Sequence, residues 1–135
     1  MMRLGTDIVK IARIQNILKK HSKFVDRILT PAELKVYDSF THSTRQLAFL
    51  AGRFASKEAY SKALGIGINH PLKFTDIEIL PDSSGNPRIV QGPVLHPDAI
   101  VSISHEEEYA MATVIINLSE EHVQELTDQR VNKGV

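Results

Sequence analysis

Three charged residues stand out by their setting as candidates for chemistry: Asp7 in MRLGTDIV, and Glu58 and Lys62 in GRFASKEAYSKALG. A carboxylate and an ammonium four residues apart share one helix face. Two readings are open for that pair. One is a solvated ion pair worth about 0.2–0.5 kcal/mol. The other is one wall of a site, because Phe54, Ser61 and Gly65 fall on the same stripe. Asp7 interrupts an apolar run and must reach solvent or a cation, since an unpaired buried charge is costly. It reads either as an outward-facing strand residue or as a metal ligand. Ser102, Ser104 and His105 crowd the segment SISHEEEY. Neighbours on a strand point to opposite faces, so Ser104 and His105 do not make a nucleophile–base pair.

These residues need elements to hold them. Residues 43–65 read as one long helix. Ser43 and Gln46 have the spacing of a capping box, and Gly65 is the expected stop. Ala48, Gly52, Ala55, Ala59 and Ala63 form a stripe of small residues, which lets another element approach closely. Residues 2–9 read as a strand, and residues 10–21 as a helix buried through Ile11, Ile14 and Leu18. Thr30-Pro31-Ala32-Glu33 starts a further helix, with Thr30 as cap and Pro31 in the first turn. Residues 73–80 alternate as a strand, PDSSGN is a turn and PRIVQ a second strand. Residues 99–104 and 109–118 form another hairpin. The order predicts an α+β fold, an antiparallel sheet with helices packed on one face. Residues 1–118 make one domain; residues 119–135 are a C-terminal helix or a frayed tail.

Composition narrows the function. The chain has 135 residues and a formal net charge of zero, so nothing pulls it as a whole toward nucleic acid or a membrane surface. It has no cysteine, which excludes disulfides, zinc–thiolate sites and cysteine nucleophiles. No apolar run is long enough to span a membrane, and no signal peptide is visible. Charge is nevertheless uneven. Six Lys or Arg lie between Lys10 and Arg27, with Asp26 the only acid among them. That is either a solvated helix face or a surface for an acidic partner. The Gly65-x-Gly67 pair follows a helix C-terminus, the negative end of the dipole. Phosphate binding there would need side-chain cations.

Taken in order, GTDIV, RILTPAEL, FLAGRFASKEAYSKALGIGI, FTDIEIL with DSSGNP, and SISHEEEYAMATVI resemble the holo-[acyl-carrier-protein] synthase family, the small phosphopantetheinyl transferases. The resemblance covers residues 3–118, and GRFASKEAYSKALG is its most specific block. It implies the phosphopantetheinyl transferase fold. The implied reaction moves 4′-phosphopantetheine from coenzyme A to a serine of an apo acyl carrier protein, with Mg²⁺, and releases adenosine 3′,5′-bisphosphate. By motif it implies Asp7 and Glu58 as the metal carboxylates and Lys62 near the coenzyme phosphates. Arg53, Gly65 and His105 are implied as further coenzyme contacts, and Arg13, Lys20, Lys23 and Arg27 as the surface that docks the acidic carrier. The family's small members are homotrimers with interfacial sites, which implies that the Gly85–Pro87 loop reaches a neighbour's coenzyme. The expected compartment is the cytoplasm, or the mitochondrial matrix in a eukaryote.

One departure is Lys10, where many relatives carry an acid. No third carboxylate stands on this segment, so water or substrate oxygens would complete a metal shell. The proton acceptor for the carrier serine is open between a metal-held water, Glu58 itself and His105. Two other readings compete: a non-catalytic module that binds coenzyme or carrier, and a metal-dependent phosphohydrolase. Hydrolase sites usually carry denser Asp/His clusters.

Overall fold

The computed structural model describes residues 1–68 and 71–132; Asn69 and His70 of the IGINHP loop, and residues 133–135 of the tail, lie outside the described residues. Strand β1 (Met2–Lys10) leads into helices α1 (Ile11–Lys20), α2 (Phe24–Ile28), α3 (Pro31–Ser39) and α4 (Ser43–Leu64). Two short strands follow, β2 (Gly67–Ile68) and β3 (Pro71–Leu72). The hairpin β4 (Glu78–Pro81) and β5 (Pro87–Gln91) comes next, then the hairpin β6 (Ala99–His105) and β7 (Tyr109–Asn117), and finally α5 (Glu120–Asn132). The chain is α+β, as the element order predicts. Among the described residues no helix is long and apolar enough to cross a membrane.

The main sheet has the order β1-β7-β6 and is antiparallel throughout. The first strand therefore lies beside the last. Side chains alternate across it: Arg3, Gly5, Asp7 and Val9 share the face that Ile116, Val114, Ala112 and Ala110 of β7 also use. Helix α4 covers this face. Of the predicted stripe, Gly52, Ala55, Ala59 and Ala63 are buried and Ala48 is half-buried, and these small residues, with Ala51 beside them, bring helix and sheet together. At Gly5 the two main chains touch: a Cβ there would lie 1.9 Å from the Ala59 carbonyl oxygen and 2.7 Å from the Ala63 nitrogen. Gly5→Ala must therefore separate β1 from α4. The expected cost is at the upper end of the roughly 1–3 kcal/mol of overpacking, read as a lower urea midpoint. A midpoint within error of wild type would contradict that close approach.

Local signals explain most boundaries. The Thr30 hydroxyl accepts from the Glu33 amide at 3.3 Å, and the Thr30 amide donates to Glu33 Oε1 at 2.8 Å, closing the predicted box. Gly65 ends α4 at φ +74°. The box expected at Ser43 does not form. Ser43 is already helical, His42 precedes it without a side-chain cap, and the Gln46 amide instead donates to the Tyr37 carbonyl at 3.1 Å. The strand expected over 73–80 is shorter, because the Asp76 carboxylate accepts from the Lys73 amide and winds Phe74–Asp76 into a 3₁₀ turn. That turn stacks Phe74 on Phe54 of α4, ring centroids 5.4 Å apart. Helix α2 is an element the sequence pattern did not predict; its Val25 and Ile28 are buried. Residues 120–132 of the tail are helical.

Candidate active site

Asp7 and Lys62 of α4 meet, and Glu58 feels the Asp7 charge. Asp7 lies on the sheet face under α4, and its Oδ1 accepts from Lys62 Nζ at 3.1 Å. Lys62 Nζ also donates to the Thr6 carbonyl at 3.0 Å. Glu58 stands one turn before Lys62, half-buried, within electrostatic reach of Asp7. Its carboxyl is held above the ordinary value of 4.5, first by burial and then by the Asp7 charge, with Lys62 and Arg13 pulling the other way. Partial desolvation and a neighbouring like charge at Glu58 mark this corner of the fold as a candidate site. The Lys62–Asp7 pair adds little stability, since Lys62 is largely exposed and such pairs are typically worth about 0.2–1 kcal/mol.

The raised Glu58 value has a sign that can be checked. A carboxyl whose folded value exceeds its unfolded one contributes stability at low pH and loses it as pH rises. Without added divalent ions, wild type is expected to lose stability relative to Glu58→Gln as pH rises above 4.5. Thermal midpoints of the two proteins measured side by side across that range test this. Parallel curves would remove the charge crowding.

The other candidate contacts gather elsewhere. A cleft of about 1220 Å³ is lined by Arg53, Gly85, Pro87 and His105, together with Phe49 and the start of α1 at Ile11. Asp7, Glu58, Lys62 and Gly65 are not on its wall. Helix geometry explains the separation: Arg53 and Glu58 lie about 140° apart around α4 and about 7 Å along it. Arg53 is buried, donates from Nε to the Ile79 carbonyl at 2.9 Å and lies over the Phe49 ring at 4.3 Å. Burial pushes its guanidinium down to about 10, with Glu33 opposing. The Gly85–Pro87 loop is held by Asp82, whose carboxylate accepts from the Ser84 and Asn86 amides and from Arg88 Nε. Gly85 adopts φ +85° in that turn. His105 ends β6 on the face that carries Asp7 and is exposed.

The basic residues divide in the same way. Arg13 and Lys20 line a shallow groove on α1 with Lys10, Asn16 and His21, while Lys23 and Arg27 are exposed beyond it. Arg13 is also felt at Glu58, lowering its carboxyl, so one residue of the groove acts electrostatically on the candidate site. Sequence reasoning missed that link. It also missed Lys57, which is fully buried and donates to Glu33 Oε1 and the Ile28 carbonyl, each at 2.6 Å. The available signal was its place on the Leu50, Phe54, Lys57, Ser61, Leu64 stripe, where a cation needs a buried partner.

The profile of the 4′-phosphopantetheinyl transferase superfamily matches residues 3–114. The chain belongs to that superfamily. A holo-[acyl-carrier-protein] synthase of Staphylococcus saprophyticus is 47% identical over 116 residues, which cover 85% of this chain and 97% of the relative. The transferase also resembles a crystal structure of a holo-(acyl-carrier-protein) synthase from Bacillus anthracis in complex with CoA (3′,5′-ADP). That match has 41% identity and a TM-score of 0.74, and covers 88% of this chain and all of the other. The holo-[acyl-carrier-protein] synthase of Helicobacter pylori, solved in complex with coenzyme A, matches at 34% identity and a TM-score of 0.71. It covers 84% of this chain and 99% of the other.

Proposed function

We propose that this transferase moves the 4′-phosphopantetheine arm of coenzyme A to a serine of an apo acyl carrier protein, with Mg²⁺, and releases adenosine 3′,5′-bisphosphate. The observation that carries the reading is the convergence of Asp7, Glu58 and Lys62 from a strand and a helix far apart in sequence. The coenzyme-bound relatives support the donor.

The donor set fits a magnesium ion. Mg²⁺ binds through one or two carboxylates and leaves its other positions to water and phosphate. The crowding of Asp7 and Glu58 supplies two carboxylates, and no group of three His, Cys, Asp or Glu that could hold a metal occurs among the described residues. Asp7 and Glu58 would hold such an ion, and the chemistry it would supply is neutralisation of charge on the coenzyme diphosphate. The rest falls to the chain. Lys62, held by Thr6 and Asp7, keeps a positive charge beside the reacting phosphate. Positioning and charge stabilisation are most of what phosphoryl transfer needs. Arg13 and the basic face of α1 would dock the acidic carrier with its serine near Glu58. The raised Glu58 carboxyl favours proton uptake, and a Glu58 not engaged by the ion is a candidate acceptor for the serine proton.

The cleft lined by Arg53, Gly85, Pro87 and His105 lies apart from the carboxylates within one chain, so one coenzyme could use both sets at a boundary between copies. The sheet offers a surface for this. Its face away from α4 exposes Leu4, Ile8, Ile100 and Met111, an apolar patch across all three strands. We read the assembly as a homotrimer packed through these faces.

The deciding measurement is the mass of an apo carrier protein after incubation with the transferase, coenzyme A and magnesium. The expected result is a carrier heavier by one phosphopantetheine. An unmodified carrier with bound coenzyme would favour a binding module, and free phosphate without a carrier would favour a hydrolase.

A further inference from the structure

The end of α4 poses an electrostatic difficulty for any phosphate near Gly65. A helix C-terminus carries a partial negative charge of about half an elementary charge, and its exposed groups are acceptors. Lys62 counters this only in part, because its Nζ is already engaged by the Thr6 carbonyl and Asp7. A second cation stands there. Arg3, on the α4-facing side of β1, donates from Nε to the Ala63 carbonyl at 2.7 Å. Its Nη2 abuts Gly65, 2.6 Å from the position a Cβ would take. Among the described residues Nη1 and Nη2 make no hydrogen bond, and the side chain is partly exposed. The Nε bond fixes the guanidinium plane and leaves the outer edge for a ligand. An oriented guanidinium edge suits a phosphate, to which it can give two parallel hydrogen bonds.

We propose that Arg3 is a coenzyme-binding residue: it offsets the negative end of α4 and donates through its outer edge to a phosphate oxygen of the donor. This rests on the transferase reading. The rival role is that of a helix cap alone, since a cation bonded to the last carbonyls of a helix is common.

Arg3→Gln separates the two roles, because its amide can still bond Ala63 while the charge is gone. Arg3→Lys keeps the charge and loses the fork. Calorimetric titration of coenzyme A and of dephospho-coenzyme A, with magnesium, into wild type and both variants supplies affinities independent of turnover; thermal midpoints run alongside. Arg3→Gln is expected to weaken coenzyme A binding about tenfold, the size of one lost charge-assisted hydrogen bond, and Arg3→Lys to fall between it and wild type. A matching loss toward dephospho-coenzyme A supports contact with the diphosphate; a loss confined to coenzyme A supports contact with the 3′-phosphate. Coenzyme affinity within twofold of wild type in Arg3→Gln, whatever its thermal midpoint, overturns the proposal, as does Arg3→Lys binding no better than Arg3→Gln. Wild type that binds coenzyme A yet modifies no carrier sinks the transferase reading while the Arg3 comparison stands. Wild type that binds no coenzyme A sinks both.

Discussion

Glu58→Gln is expected to slow phosphopantetheine transfer about 10³-fold, the effect of losing roughly 4 kcal/mol of transition-state stabilisation. The substitution is nearly isosteric and removes one of two crowded carboxylates, so the fold should survive it. Stability below neutral pH should not fall, because burial and the Asp7 charge already disfavour the ionised side chain. Loss of activity with a thermal midpoint no lower than that of wild type therefore separates chemistry from folding. Asp7→Asn should behave alike in rate but also remove the charge paired with Lys62, whose Nζ would keep only neutral acceptors, the Thr6 carbonyl among them. Carrier mass after timed incubation gives the rate. A Glu58→Gln protein within tenfold of wild type would place the reacting phosphate somewhere else.

Glu33→Ala is expected to destabilise the domain by about 3–5 kcal/mol, as breaking a buried ion pair from one side usually does. Glu33 is fully buried and serves four neighbours. Its Oε1 accepts from Lys57 Nζ and the Thr30 amide, and its Oε2 accepts from the Ile79 amide at 2.8 Å; its charge also opposes the loss of the Arg53 proton. Burial already pushes the Lys57 ammonium down, with Glu33 as the main opposing influence. Removing the carboxylate leaves that ammonium and two amides without their partner. Lys57→Met combined with Glu33→Leu removes both charges, and it should cost less than Glu33→Ala alone, because apolar replacement of a whole buried pair is often neutral. Urea unfolding of the single and double variants reads this directly. A double variant as unstable as the single would shift the weight from the charge pair to the amide bonds.

Legibility in the sequence followed the range of the interactions. Features fixed within a few residues were plain: the Thr30–Glu33 box, the Gly65 stop, the Ile11 and Ile14 face, the PDSSGN turn. Asp7 and Glu58 were legible as residue types, and motif resemblance put them together; neither spacing nor composition could, because 51 positions separate them. What stayed hidden depended on contacts across the fold. Lys57 looks like any surface lysine until α3 delivers Glu33 to it. Arg3 looks like a charge at a strand start until the end of α4 lies over it. Ser43 and Gln46 have cap spacing, yet the Tyr37 carbonyl takes the glutamine amide. The alternation over 73–80 yielded to a single aspartate bonding its own backbone, a local competition that periodicity does not register.

Main-chain contact at Gly5 ties the strand that bears Asp7 to the helix that bears Glu58 with no side chain between them to act as a spring. The two acids can turn about their own bonds, but the main chains beneath them cannot drift apart without the domain opening. Under mild denaturant a single copy should therefore show no half-native phase: the Asp7–Lys62 contact and the rest of the native structure should disappear along a single curve, and heat should open the domain abruptly instead of by degrees.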